Sequence, residues 1–329
     1  MHILKQENDK TPNKECQLKP TEWLSVKNIK STVFYNSHES IQTIKSMRVF
    51  IIGTGLIGGS FALDIQEKYA ESRIYGIDHH PAHIQEALTL GVIHEAASYS
   101  DLVHADVVFI AIPVDVSLDV IPKVLDQVGD NTLVIDAGST KKRICLTLED
   151  HPKRRNFLAA HPIAGTEFSG PKAAQRGLYH GKTNIICEVE KTAFKLQERA
   201  LEIFRNFGMR IRYMDPVSHD KHIAYVSHLS HISSFMLGKT VIQKEKNERD
   251  IFDMAGSGFE STVRLAKSSP AMWTPIFEQN KHYIIKTLEE YINNLHQFKT
   301  LMEKGDFEAI YHEMKETNHI KNILNGIKI

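Results

Sequence analysis

The sequence predicts an α/β fold, a doubly wound parallel sheet followed by an all-helical domain. Three observations carry that prediction. Short apolar, β-branched runs alternate with helical stretches from about residue 47 to 150. The first run, Arg48-Val49-Phe50-Ile51-Ile52, leads straight into Gly53-Thr54-Gly55-Leu56-Ile57-Gly58, and an apolar helical pattern through Phe61, Leu63 and Ile65 follows. After Asp215-Pro216 the strand signals stop, and residues 217 to 329 read as nearly continuous helix.

Strand, tight turn and helix in that order give each glycine a task. Gly53 makes the turn, Gly55 lets the backbone approach a pyrophosphate, and Gly58 lets the helix pack closely on the strand. The pyrophosphate then sits on the helix N-terminus, where unpaired N–H groups and the helix dipole favour negative charge. Leu56 and Ile57, at the start of that helix, complete the cofactor-binding turn. A second strand pattern, Arg73-Ile74-Tyr75-Gly76-Ile77, ends in Asp78. An acidic group at that strand end accepts hydrogen bonds from a ribose diol and repels a 2′-phosphate. The pattern therefore predicts NAD rather than NADP, the alternative being plain turn glycines with Asp78 as a surface cap.

The run Ala105 to Ile112 is the next strand, and Pro113 ends it. A turn there places Ile112 and Pro113 at the carboxyl ends of the strands, where open α/β sheets bind ligands. Asn131 to Asp136 is a further strand, followed by Ala137-Gly138-Ser139-Thr140-Lys141-Lys142 and a helix. Ser139 and Thr140 either present hydroxyls to the crevice or cap the helix. Phe157-Leu158-Ala159-Ala160-His161-Pro162 then delivers a histidine to a strand end, with Pro162 and Gly165 preventing continuation. An imidazole there can hold a substrate hydroxyl and accept its proton near neutral pH, although a His-Pro pair also suits an ordinary loop. Strands at Asn184–Val189 and Arg210–Tyr213, with a helix from about Lys191 to Phe207 between them, extend the sheet.

The helical half is interrupted at Gly256-Ser257-Gly258, Pro270, Pro275 and Gly305. Its amphipathic helices cannot bury both faces against one nucleotide domain, which predicts a dimer. His219 with His222, and His228 with His231, stand three residues apart, so each pair shares a helix face. A metal needs three or four converging ligands, and no further carboxylate or thiolate is evident, so no metal is predicted. Arg264, on a short helix after the glycine turn, suits a carboxylate held in two parallel hydrogen bonds. On its own an arginine would be assigned to a solvated face.

The totals narrow the function classes. Lys plus Arg equals Asp plus Glu at 40 each, so no global field draws nucleic acid or an anionic membrane. No apolar run approaches the roughly 20 residues that span a bilayer. Cys16, Cys145 and Cys187 are widely spaced, which fits a reducing, cytoplasmic location rather than a disulfide framework. Residues 1–46 are polar and lysine-rich, with neither a signal peptide core nor a transit peptide's arginines. They read as an N-terminal extension, mobile or loosely docked, or as sequence upstream of a functional start at Met47. The expected domains are residues 47–214 for the nucleotide and 215–329 for the helices.

Several separated motifs, in order, resemble one family, the prephenate and arogenate dehydrogenases of tyrosine biosynthesis. They are Gly-Thr-Gly-Leu-Ile-Gly-Gly-Ser, Asp-Ala-Gly-Ser-Thr-Lys, His-Pro-Ile-Ala-Gly-Thr-Glu-x-Ser-Gly, Ser-His-Leu-x-His and Gly-Phe-x-x-x-x-Arg-x-Ala-x-Ser-x-Pro-x-Met-Trp. The resemblance covers about residues 47 to 329. It implies a Rossmann-type domain joined to an all-helical dimerisation domain, with the active site between them. It further implies a homodimer that converts prephenate and NAD to 4-hydroxyphenylpyruvate, CO2 and NADH. Within that resemblance His161 is similar to the catalytic histidine that binds the ring hydroxyl, and Ser139 to the serine that orients it. Arg264 is similar to the arginine that holds a substrate carboxylate. Glu167 and Trp273 resemble residues lining or gating the pocket, and His219 and His231 resemble helical-domain histidines facing it. Many members carry a basic residue and then an aspartate after Gly-Phe. Glu260 and Ser261 stand there instead, leaving Arg264 with a different neighbour. The end at Ile329 leaves no room for the regulatory domain some members append. Arogenate in place of prephenate, a 3-hydroxyacid or 6-phosphogluconate type of dehydrogenase, and a dimeric NAD sensor without turnover remain the alternatives.

Overall fold

The computed structural model describes residues 46–248 and 250–326; apart from Ser46, the expected N-terminal extension lies outside them. The first half alternates strands and helices: β1 (Arg48–Ile52), α1 (Leu56–Lys68), β2 (Arg73–Ile77), α2 (Pro81–Thr89), β3 (Glu95–Ala96), β4 (Val107–Ile110), α3 (Val114–Gln127), β5 (Leu133–Asp136), α4 (Lys142–Thr147), β6 (Phe157–Pro162), β7 (Thr183–Cys187), α5 (Phe194–Asn206) and β8 (Arg210–Met214). The eight strands form one sheet in the order β3-β2-β1-β4-β5-β6-β7-β8. Chain order reverses between β1 and β4, which pair in parallel from Val49 opposite Val107 to Ile52 opposite Ile110. That reversal opens a crevice at the strands' carboxyl ends.

The unbroken apolar runs of β1, β4 and β5 follow from burial on both faces. Val49 and Ile51 lie in a core with Phe61, Ile203 and Phe204, on the side of α1 and α5. Phe50 and Ile52 lie in a second core with Ile121, Val124 and Leu125 of α3. Phe61 stacks on Phe109 with ring centroids 3.8 Å apart, fastening α1 to β4. Complete burial of such aromatic and aliphatic side chains stabilises the fold by about 1.5–3 kcal/mol each.

Two features differ from the sequence expectation. β7 runs antiparallel to β6, with His161 opposite Ile185. A parallel return is usually made through a helical crossover, whereas the intervening chain forms only short turns, among them the 3₁₀ turn Pro171–Ala173. The chain therefore re-enters from the crevice end, and α5 restores parallel pairing between β7 and β8. β3, with both residues exposed, carries no hydrophobic signal by which sequence could find it.

The second half is helical: α6 (Pro216–Ile223), α7 (Leu229–Glu245), α8 (Ser257–Val263), α9 (Pro270–Gln279), α10 (Lys281–Lys304), α11 (Phe307–Thr317) and α12 (Ile320–Gly326). Asp215 caps α6, its side chain accepting from the backbone N–H groups of Val217 and Ser218, and Pro216 takes the first helical position. Gly305, at φ 70°, ends α10 in the left-handed conformation. Pro275 does not interrupt its helix but lies inside α9. One π-helical turn, Ala224–His228, joins α6 to α7. Among the described residues no helix is long and apolar enough to cross a membrane.

Candidate active site

The glycine turn between β1 and α1 is built by what its residues lack. Gly53 sits at φ 90°, and a Cβ there would collide with the carbonyl of Ala111. A Cβ on Gly58 would strike the carbonyl of Gly53 and come within 2.8 Å of the Ile51 side chain. Gly55 differs, since the nearest atoms to a Cβ would be those of Gly170, from 3.8 Å. Two glycines therefore close the strand, turn and helix together, and the third leaves room for a ligand against the backbone. Gly55 is also the N-cap of α1, and no side chain caps that helix. The first N–H groups, with Leu56 and Ile57, thus present a fitting anion site.

Asp78 lies at the end of β2, its side chain 5% exposed. Oδ2 accepts from the backbone N–H and the hydroxyl of Thr54 at 3.0 and 3.1 Å, and Oδ1 from the backbone N–H of His80 at 3.0 Å. Burial opposes its charge, but these donors outweigh burial and hold its pKa below the ordinary value. The carboxylate therefore clamps the glycine turn to β2 while keeping a negative charge beside it. This is more than the surface cap that sequence allowed.

Across the crevice, Ile112 approaches the position a Gly53 Cβ would take, and Pro113 is the N-cap of α3. Ser139 lies half-buried between β5 and α4. Its neighbour Thr140 donates to Gln279 Oε1 on α9 at 2.7 Å, and Gln279 Nε2 donates to the Val114 carbonyl at 2.6 Å. Trp273 and Ile276 of α9 pack against Val114. These contacts seat the helical half on the carboxyl edge of the sheet.

His161 stands at the end of β6, as the sequence predicts, but its ring partner is His219 rather than Ser139. His161 Nδ1 and His219 Nε2 lie 2.8 Å apart, and His219 Nδ1 lies 2.8 Å from Asp220 Oδ1. Asp220 also accepts the backbone N–H groups of Lys141 and Lys142 at 2.8 and 3.0 Å. Burial, reinforced by His219, Lys141 and His228, pushes the His161 pKa well below its ordinary value. Burial likewise lowers that of His219, against the pull of Asp220. Both imidazoles are therefore neutral near pH 7, the state a general base requires.

The family resemblance implies a His219 that faces the pocket. Its side chain is instead fully buried, with both ring nitrogens engaged, so it reaches the crevice only through His161. Nor do His219 and His222 share surroundings, since His222 is exposed. His228 is fully buried: Asn280 Nδ2 donates to its Nδ1 at 3.1 Å, and burial lowers its pKa to about 4. His231 is half-buried and stacks on Trp273 at 3.5 Å between ring centroids. Its Nδ1 donates to the Ser227 carbonyl at 2.9 Å, which leaves Nε2 free. Burial lowers the His231 pKa, and the nearby charge of Arg264 adds to the effect. Arg264 Nη1 donates to Glu167 Oε2 at 3.1 Å, spanning from the helical half to the loop after β6. Glu167 is thus the acidic neighbour of Arg264, while Glu260 lies 3.6 Å from Lys267.

Three further residues emerge only in three dimensions. Lys141 is fully buried, its ammonium paired with Asp136 and donating to the Ala160 carbonyl at 2.7 Å, directly before His161. Asn280 donates to the Asp220 carbonyl at 2.7 Å. Asp220 is the third, and its one sequence signal is its place directly after His219.

The family model for the prephenate dehydrogenase nucleotide-binding domain matches residues 61–213. The model for the prephenate dehydrogenase dimerization domain matches residues 215–316. Prephenate dehydrogenase of Bacillus subtilis (strain 168) is 31% identical over 271 residues, covering 81% of this chain and 73% of that protein. Cyclohexadienyl dehydrogenase of Zymomonas mobilis is 26% identical, covering 82% of this chain and 93% of that protein. The crystal structure of prephenate dehydrogenase from A. aeolicus with hydroxyphenyl propionate and NAD+ matches with a TM-score of 0.77 and 33% identity, over 85% of this chain and 98% of that one. The nucleotide-binding match and the glycine cradle support NAD as the cofactor. With a Rossmann-type sheet, a helical second half and both family domains in order, the chain belongs to the prephenate dehydrogenase family, a family of oxidoreductases.

Proposed function

We propose that this chain is an NAD-dependent prephenate dehydrogenase, a cytoplasmic homodimer with a nucleotide domain over residues 47–214 and a helical substrate and dimerisation domain over 215–329. The observation that carries the proposal is His161, neutral at the strand end with Nδ1 held by His219, six residues before the Glu167 that engages Arg264. Gly53, Gly55, Leu56, Ile57, Gly58, Asp78, Ile112 and Pro113 hold the cofactor. When bound there, NAD would supply the acceptor for a hydride from C4 of the substrate ring. His161 takes hydrogen-bond density, then the proton, from the 4-hydroxyl. As the ring carboxylate leaves as CO2, its bonding pair completes the aromatic ring and the proton returns to the phenol oxygen. Aromatisation drives the reaction, so the protein's work is alignment and polarisation of one hydroxyl.

Arg264 holds a substrate carboxylate, with Glu167, His231 and Trp273 lining the site and Ser139 near the reacting centre. Arogenate carries an ammonium where prephenate carries a ketone. Glu167 is already engaged by Arg264, which favours prephenate. The match to a dimerization domain and the exposed Ile292, Leu295 and Phe298 of α10 support the homodimer.

The test is initial NADH formation by the purified protein with prephenate or arogenate, each with NAD or NADP. Prephenate with NAD is expected to turn over fastest. Faster turnover of arogenate would transfer the activity to that substrate, and silence with both while NAD binds would remove it.

A further inference from the structure

We propose that Asp220 is a positioning residue for the reaction, setting through His219 which nitrogen of His161 carries the lone pair. The inference rests on the reading of His161 as the base and deepens it. Asp220 accepts two backbone N–H groups, one on each carboxylate oxygen, and so is held as an acceptor. The Nδ1 of His219 opposite it must therefore carry the hydrogen. A neutral His219 then offers only a lone pair at Nε2, and the hydrogen between the rings must come from His161 Nδ1. His161 Nε2 is left bare, ready for a hydroxyl proton.

The groups around this chain favour that arrangement. Asp136 pairs with Lys141 behind β5 and β6, so the lysine charge is met locally. Lys141 and Lys142 reach Asp220 through their backbone N–H groups, at the start of α4. His228, neutral through burial, faces from the π-helical turn, and Asn280 fixes the backbone of Asp220 from the start of α10. When His161 takes a proton, its positive charge is relayed through His219 toward a carboxylate already in place. Asp220 belongs to α6 and its backbone partners to the sheet domain, so the relay forms only when the two halves are seated together.

Two measurements test the proposal. In Asp220→Asn an amide replaces the carboxylate at the same size. The neutral amide cannot accept both backbone N–H groups and puts no charge opposite His219, so it neither fixes the His219 tautomer nor meets the charge that His161 gains. The expected result is a fall in kcat of about 10²-fold or more with the KM values for prephenate and NAD within about threefold. Asp220→Glu should restore part of kcat. A kcat within about threefold of the parent would overturn the proposal. Because Asp220 also meets the start of α4, the Asn variant could lose structure, and the second measurement needs no variant of it. Nitrogen-15 NMR of the histidine rings of the intact protein, with His161 assigned by its loss in His161→Asn, should show His161 and His219 both carrying hydrogen on Nδ1. Hydrogen on Nε2 of His161 would overturn the proposal. This readout stands even where prephenate turnover fails, so the relay and the activity are tested separately.

Discussion

The glycine cradle, after β1, and the histidine relay, at the end of β6, are made in opposite ways. The cradle spans six consecutive residues, Gly53 to Gly58, and works through missing side chains: a left-handed turn, a close packing contact and an open approach. The relay joins side chains from positions 161, 219 and 220, each engaged by its neighbours in space. A site made of backbone is specified locally, whereas a site made of side chains is specified only once two domains meet. Damage should differ accordingly: the cradle should fail in cofactor binding and folding, and the relay in turnover.

The largest expected effect is on the relay side. His161→Asn removes the base but little volume, and a positioned base is worth about 10²–10⁴-fold. Turnover should fall by that factor while NAD affinity, measured by fluorescence titration, stays within about threefold. Normal turnover would remove His161 from the mechanism and collapse the contrast between the two regions.

Acid stability gives the next effect. The pKa of His228 is about 4 in the folded protein, against 6.5 for an unperturbed histidine. Between those values the unfolded chain binds the extra proton, so stability is complete above about pH 6.5 and is lost as pH falls toward 4. This residue alone accounts for about 3 kcal/mol over that window. His161, His219 and His231 shift in the same direction. Urea denaturation at pH 7 and pH 5 should show a clear loss, and His228→Phe should reduce the pH dependence. An unchanged midpoint between those pH values would mean the buried histidines are not neutral. The cradle holds no histidine between Gly53 and Gly58 and contributes nothing to this loss.

The cradle's own test is smaller. Gly58→Ala forces a Cβ against the Gly53 carbonyl and the Ile51 side chain, an overpacking that costs about 1–3 kcal/mol. Gly55→Ala meets no close atom and should leave stability unchanged while raising the KM for NAD. Equal destabilisation by the two would refute the division of tasks among the glycines.

That division was legible in the sequence because turn, close approach and packing are each demands on a backbone, and only glycine meets them. β1, β4 and β5 were legible for a similar reason, since burial on both faces leaves an unbroken apolar run. The placement of His161 at a strand end also followed from Pro162. Its partner did not, because nothing near His161 in sequence announces a residue 58 positions away. The two i,i+3 histidine pairs suggested shared faces, but α6 meets the sheet domain along the His219 side only, and a π-helical turn then shifts the register before His231. The reversal of β7 was equally hidden, because strand direction depends on where a connection crosses rather than on the strand's own residues.

Arg264 gives the smallest effect on the fold and a sharp one on function. Its ion pair with Glu167 joins side chains 50% and 19% exposed, and a pair so open to water contributes little to stability. Arg264→Ala should therefore leave the melting temperature almost unchanged. As the proposed clamp on a substrate carboxylate, the same guanidinium should matter far more to binding, and truncation should raise the KM for prephenate about tenfold with a smaller change in kcat. Glu167→Gln frees Arg264 from its carboxylate partner, and is expected to lower that KM or leave it unchanged. If Arg264→Ala instead lowers stability and leaves KM alone, the arginine is a strut between the helical half and the loop after β6. The crevice would then have to hold its anionic substrate with the cradle side and His231.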